Sequence, residues 1–423
     1  MDVRLEWLEI RKFRNVKPRR LAFNGGHNVL LGLNATGKTT LLNLVAMVIN
    51  GSFEDIRDEE FEFSFAASYA GTRVEGEVRN KRTKGSGLKF WDSRNQMGAH
   101  RLGVEWSMDI QFPSPTPRYS AQWPEPKEKS AIHLPSPGAE VPFSYPSWLA
   151  TGLLSSRVAA GLVKEQDAAP SDLVALVFSP CFRLDESLGY FQRLSFRPPL
   201  DTWPDKKKRT PVELATWPSV IMSGSDSSFR GVPEELRNTL AARPQVEDDL
   251  ILDDGNQSQL TRTAALLLGV DQVAVRLHWL SADDGKPLYG GIKFLCRTGS
   301  TSFSEDRLSY GQKRLLGFLY YAACANVIVA DELVNGLHHS WIGACVKETG
   351  DRQSFLTSQN ALLLDHLELK SAEEAEKMFI VCNNENGQLS WENITMEQAK
   401  DIFAAREVGI QQLSEILLAR KLW

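Results

Sequence analysis

Apolar and polar positions alternate at the start of the chain, where Val3, Leu5 and Trp7 are separated by Arg4 and Glu6. That is the period of a half-buried strand, not the charged-then-apolar pattern of a signal peptide. The basic stretch RKFRNVKPRR leads into LAF, then an apolar strand HNVLLG, a loop LNATGKTT and the segment TTLLNLVAMVI. Leu41, Leu42, Val45, Ala46 and Val48 in that segment predict a buried helix. From about residue 60 to 112, FEFSFAAS, RVEGEVRN and LGVEWSMDIQF alternate like antiparallel strands. Nine of the twenty prolines crowd into 113–146, a density that predicts a linker or irregular surface wrap rather than helix or central strand. Residues 147–270 carry short helical patterns, PEELRNTLAA, with Pro233 as its starter, and LTRTAALLLG. The strand–helix rhythm returns at about 271 and runs to 382. The pattern therefore predicts an α/β core built from 1–112 and 271–382, an inserted region over 113–270, and a C-terminal helical extension over 383–423. In that extension AREVGIQQLSEILLARKLW reads as one basic-ended amphipathic helix with Val408, Leu413, Ile416 and Leu417 on its apolar side.

Composition narrows the class. At 423 residues the chain exceeds a single ordinary core, and 42% hydrophobic with 24% charged residues is the balance of a soluble globular protein. A net charge of −5 gives no global basic field, so wholesale coating of nucleic acid is not expected, although a local basic patch is not excluded. Cys181, Cys296, Cys324, Cys345 and Cys382 are scattered and contain no CxxC pair, which points to a reduced cytosol and to neither a zinc site nor a disulfide framework. No apolar run approaches the length needed to cross a bilayer, so a cytoplasmic protein is expected.

The candidate chemistry begins at GLNATGKT, Gly32 to Thr39, which fits GxxxxGK[ST] between an apolar strand and an apolar helix. Gly32 and Gly37 let the backbone fold around phosphate oxygens, with amides from Asn34, Ala35, Thr36 and on to Thr40 available at a helix N-terminus. Lys38 supplies a cation for the β- and γ-phosphates, and Thr39 a hydroxyl for Mg²⁺. These eight residues other than Leu33, namely Gly32, Asn34, Ala35, Thr36, Gly37, Lys38, Thr39 and Thr40, are the ATP-binding candidates. A second site follows the apolar strand Val327 to Ala330, which ends in Asp331–Glu332. An acid in the first position can hold the magnesium shell, and one in the second can polarise an attacking water. The plain alternative is a solvated acidic turn. A third element is LSYGQKR at 308–314, which lies one helix before Asp331 and by itself reads as a capping turn.

The order phosphate loop, long insertion, LSYGQ, short helix and Asp–Glu strand resembles the ABC-type ATPase head. The resemblance implies an ABC-type P-loop fold, a mixed sheet flanked by helices with an early antiparallel sheet and a large inserted region. It also implies ATP hydrolysis at a site shared between subunits. In such a head Ser309, Tyr310, Gly311 and Gln312 form the signature turn that meets the γ-phosphate held by an opposite subunit. Tyr310 stands where the family carries a glycine. NGLHHSW and QSFLTSQNALLLDHL, following Glu332, resemble one branch of non-transporter ABC ATPases. That branch includes the OLD family and the ATPase subunits of bacterial antiphage systems such as PARIS and Septu. In it Asn335–Gly336–Leu337–His338 would be the loop crossing the dimer interface, with His338 read as a helix-start or interface residue. Thr357–Ser358–Gln359–Asn360 replaces a histidine-bearing switch, so Gln359 takes a catalytic position with an amide that cannot become cationic and turnover is expected to be slow. The glutamine of the loop near the early sheet has only Gln96 and Gln111 as weak candidates. About 60 residues follow Gln359, too few for a Toprim nuclease, so the resemblance implies a separate effector, a nuclease, and a phage-derived trigger. The rival reading is a RecF-like ATPase that binds DNA in repair or maintenance.

Other features have plain readings. KKKR at 206–209 and KRTKGSGLK at 81–89 are solvated basic surface or a DNA contact, with Phe90 and Trp91 beside the second. EDDLILDD at 247–254 lacks the glycine spacing of a calcium loop and reads as charged surface, and Asp185–Glu186 as a helix-start pair.

Overall fold

The computed structural model describes residues 3–50, 53, 56, 59–69, 72–80, 104–111, 118–123, 131–133, 140–142, 183–184, 195–196, 233, 236, 249–252, 258–283, 286–409 and 411–422. Two compact units emerge, one from residues 1–181, 352–356 and 369–423, the other from 182–351 and 357–368.

The first unit opens with β1 (Val3–Phe13), β2 (Arg19–Ala22) and β3 (His27–Leu31), followed by α1 (Lys38–Asn50). Then come β4 (Phe61–Tyr69), β5 (Thr72–Asn80), β6 (Val104–Gln111), β7 (Arg118–Trp123), β8 (Ala131–His133) and β9 (Glu140–Pro142). An antiparallel sheet of order β2-β1-β4-β5-β6-β7-β8-β9 contains all of these except β3. It continues past residue 112 into the proline-dense stretch because the prolines fall between its strands, and Pro142 ends the edge strand, where no ladder hydrogen bond need be donated. Alternation in β4 buries Phe61, Phe63 and Phe65, with Phe53 and Phe13 packed against them. Gly76 of β5 is required there, since a Cβ would meet the Phe65 ring at 2.4 Å.

The alternation predicted for β1 breaks after Leu5. A register shift between Leu5 and Trp7 buries Leu8 and Ile10 and leaves Trp7 half-buried under the Arg20 guanidinium, 3.9 Å from its ring. Such a bulge gives up a ladder partner. Buried Gln353 takes its place, its Oε1 accepting from Leu5 N at 2.7 Å and its Nε2 donating to Leu5 O at 2.8 Å.

The same unit holds β3 in parallel register with β18 (Phe379–Glu385), which pairs antiparallel with β19 (Gln388–Asn393). Helix α1 buries Leu41, Leu42, Leu44, Val45, Ala46 and Val48, the all-round burial expected of a core helix. The C-terminal extension is two helices rather than one. Gly409 adopts a left-handed conformation (φ 70°) and caps a helix over Met396–Val408, and a Gln412–Glu415 capping box starts another over Leu413–Ala419. Val408 is left exposed as a result, while Leu413, Ile416 and Leu417 are buried.

In the second unit β10 (Arg183–Leu184) precedes β11 (Ser195–Phe196) and β12 (Leu250–Leu252). A helix over Gln259–Leu268, here α2, leads into the long hairpin β13 (Gln272–Asp283) and β14 (Lys286–Thr298), with β15 (Thr301–Ser304) paired to β14. Helix α3 (Tyr310–Cys324) then precedes β16 (Ile328–Ala330), which is parallel to β10, and α4 (His339–Thr349). Strand β17 (Ser354–Thr357) passes from the first unit back to the second. The fold class is therefore the expected one, mixed α/β with an early antiparallel sheet. No helix among the described residues is long and apolar enough to cross a membrane.

Several sequence candidates lie outside the described residues: both basic patches, Phe90, Trp91, Gln96, Asp185 and Glu186. Gln111 closes β6 opposite Arg73. Within the acidic run, Asp249 is held by Arg276 and by His278 Nδ1 at 2.8 Å, a charged-surface arrangement.

Candidate functional site

The phosphate loop joins the end of β3 to α1. Gly32 (φ 138°), Ala35 (φ 63°) and Gly37 (φ 83°) all have positive φ, so the chain reverses sharply three times within six residues. The loop is braced from outside by the β18–β19 hairpin. Asn384 Nδ2 donates to the Ala35 carbonyl at 2.9 Å, and buried Trp391 Nε1 donates to the Thr36 carbonyl at 3.1 Å. A Cβ at Gly32 would meet the Cys382 carbonyl oxygen at 2.2 Å, and one at Gly37 would meet Leu389 and Trp391 at 2.8 and 3.1 Å. The two glycines thus serve the hairpin contact as well as the turn. Lys38 Nζ donates to the Gly32 and Leu33 carbonyls at 2.7 and 2.9 Å, and Thr36 Oγ1 donates to Leu33 O at 2.8 Å. Asn34, Ala35 and Thr39 are exposed, and Gly32, Gly37 and Thr40 half-buried. Neither Asn384 nor Trp391 carries a sequence signal that would have linked it to the loop.

Trp391→Phe tests this brace. Loss of the indole donor leaves the Thr36 carbonyl without that partner, a cost of about 1 kcal/mol. The KM for ATP is expected to rise about fivefold with kcat little changed. ATP titration of the turnover rate measures this, and an unaltered KM would mean that the brace does not shape the loop.

The acid pair lies in a turn after β16. Asp331 is 8% exposed and is no solvated turn residue. Its Oδ1 accepts from Thr357 Oγ1 at 2.6 Å, and the same Oγ1 accepts from Glu332 N at 2.7 Å. Asp331 N donates to Leu184 O at 2.9 Å, and Leu333 N to Thr357 O at 3.1 Å. Glu332 sits in the left-handed region (φ 50°), unusual for a side chain of this kind. Its carboxylate is gripped by Gln359, whose backbone N donates to Oε2 at 2.9 Å and whose Nε2 donates to Oε1 at 3.3 Å. The two residues expected to be catalytic, far apart in sequence, are therefore in direct contact.

The signature turn caps its own helix. Ser309 Oγ accepts from Gln312 N at 3.3 Å and Gln312 Oε1 accepts from Ser309 N at 2.9 Å, a closed capping box at the start of α3. Tyr310 is half exposed, with its ring over Gly336, and Gly311 comes so close to Gly336 that a Cβ would be 2.5 Å from its carbonyl oxygen. His338 caps α4, its Nδ1 accepting from Ser340 N, in keeping with a helix-start role.

Each unit offers a donor of a type that suits magnesium. Asp331 offers a hard carboxylate oxygen, and Thr39 a hydroxyl in the first turn of α1. No group of three or more His, Cys, Asp or Glu residues suited to a metal occurs among the described residues. An ion completed by phosphate oxygens and water needs no such cluster. Burial pushes the Cys345 and Cys382 thiols up to about 12 and that of Cys296 up to about 11.

The first unit carries a phosphate loop that leaves a parallel strand, and the second carries an acid pair that leaves a buried strand and a helix capped by Ser309. The fold is mixed α/β. No family model matches the chain, and no curated protein matches it. Similar solved structures include an Smc head bound to the C-terminal winged-helix domain of ScpA (13% identity, 94% of this chain and 99% of that one, TM-score 0.43). Others are an Smc head domain with a coiled coil and joint derived from Pyrococcus yayanosii (9% identity, 96% and 100%, TM-score 0.37) and the recombination mediator RecF (13% identity, 93% and 99%, TM-score 0.31). Superpositions this loose carry no argument about the family.

Proposed function

We propose that the chain binds ATP with Mg²⁺ and hydrolyses it slowly, in a site completed by the signature turn of another copy. The observation that carries this reading is the Glu332–Gln359 contact next to the Asp331–Thr357 pair. It leaves one carboxylate oriented for water and a second suited to a cation. The Lys38 loop would take the phosphates, Thr39 and Asp331 the magnesium, and Ser309, Tyr310, Gly311 and Gln312 the neighbour's γ-phosphate.

In the finer reading the homo-oligomer acts in the cytoplasm as a sensor and scaffold that controls a separate effector, a nuclease, in antiphage defence. Its support is the resemblance of the segments after Glu332. The alternative is a RecF-like DNA-binding ATPase. The basic stretch near the N-terminus favours neither reading. Arg11, Lys12, Arg14, Lys17 and Arg19 are each paired with a glutamate, and Arg20 lies on Trp7.

Solution mass with ATP and Mg²⁺, for wild type and Glu332→Gln, tests the shared site. A dimer or larger assembly that the variant traps is expected. A monomer that turns over ATP in every state would overturn the in-trans role of the signature. Turnover stimulated by DNA, with salt-sensitive binding, would favour the RecF-like alternative.

A further inference from the structure

Arg314 follows Lys313 in the second turn of α3. In the fold it is 2% exposed, among the most buried polar residues of its unit. Its Nη2 donates to the backbone carbonyls of both acids of the pair, Asp331 O at 3.3 Å and Glu332 O more closely. Nε and Nη1 are buried without a hydrogen-bond partner. No carboxylate among the described residues forms an ion pair with it. A buried, incompletely satisfied cation is costly, and a well-packed apolar residue in such a place is often neutral or stabilising. Arg314 is therefore poorly explained as a stabilising contact.

The same helix holds the acid turn at both ends. Arg314 takes the carbonyls at 331 and 332, while Tyr310 and Gly311 pack on Gly336 five residues later. Between these grips lies the left-handed backbone of Glu332, whose carbonyl goes to α3 while its carboxylate goes to Gln359. We propose that Arg314 is a positioning residue, which fixes the strained Glu332 backbone to the signature helix and so sets the direction of the hydrolytic carboxylate. This rests on the ATPase reading above.

The test is a double-mutant cycle on the full chain, with Arg314→Met, Arg314→Lys and Glu332→Gln, and Tyr321→Phe as a control. The Tyr321 hydroxyl bonds Val329 N at 2.7 Å and serves β16 alone. Misplacing a reacting group by about 1 Å costs about 100-fold in rate. Arg314→Met is expected to lower kcat by about that factor with ATP affinity within about threefold, and Arg314→Lys, which retains one donor to a carbonyl, to recover part of the loss. In the Glu332→Gln background Arg314→Met should add almost nothing, because both act through one carboxylate. Equal losses in both backgrounds, or losses no greater than those of Tyr321→Phe, would overturn the inference while leaving the ATPase reading intact. If Arg314→Met does not fold, Arg314→Lys in the same cycle decides by the same non-additivity. A wild-type chain without turnover, or turnover indifferent to Glu332→Gln, would overturn both.

Discussion

Glu332→Gln lowers kcat for ATP hydrolysis by about 100-fold or more while ATP affinity stays within about threefold. The replacement conserves shape but not chemistry. The carboxylate accepts two hydrogen bonds from Gln359, one at each oxygen. An amide in its place keeps one acceptor and turns a donor towards one of those donors. It also loses the negative charge that, in the proposed mechanism, polarises water. Nothing else in the turn depends on the side chain: Asp331 retains Thr357, and the Glu332 backbone retains Thr357 and Arg314. The loss therefore falls on turnover and not on folding. Steady-state phosphate release, with a thermal melt as the control, measures it. A variant that turns over normally would show that another group activates the water.

Gly32→Ala disables the other half of the chemistry by a different route. The expected result is loss of ATP binding together with a destabilisation of about 4 kcal/mol. At φ 138° an L side chain is strained, and the added methyl would lie 2.2 Å from the Cys382 carbonyl oxygen, a backbone atom of β18 that cannot swing away. Relief requires β3 and β18 to separate where Leu31 pairs with Val381, at the end of a buried parallel ladder. The loop would leave its position above α1, and Lys38 would lose the Gly32 carbonyl as partner. Thermal melting reads the first effect and equilibrium binding of a fluorescent ATP analogue the second. Wild-type values for both would mean that the loop relaxes freely and that the close approach is unimportant. Gly299, which also has positive φ but faces open space, serves as comparison: its replacement by alanine should cost only the local strain, about 1 kcal/mol.

Much of the site could be read before the fold was known. The glycine spacing around Lys38, the strand ahead of Asp331–Glu332 and the serine opening α3 are local signals, each tied to its neighbours by one strand, turn or helix. The sequence also anticipated β4, β5 and β6, because a strand with one face buried repeats every second residue. Where local pattern and long-range contact competed, the reading failed in small, explicable ways. A bulge at Leu5–Trp7, satisfied by Gln353 from 348 residues away, inverted the face of β1. The prolines of 113–146 suggested an irregular wrap, yet strands run between them.

By itself, then, the sequence determined the mixed α/β class and the local turns around Lys38 and Asp331–Glu332, since those depend on backbone conformation and residue type over a few consecutive positions. The tertiary structure alone decided which residues support them. Trp391 and Asn384 reach the loop carbonyls because a parallel strand pairing brings residue 380 beside residue 30. Gln359 meets Glu332 because Thr357 ties the end of β17 to the acid turn. Arg314 is buried because α3 packs on the segment that follows it. Burial and hydrogen-bond partners are properties of packing between distant segments, and one chain's residue order carries almost no record of them.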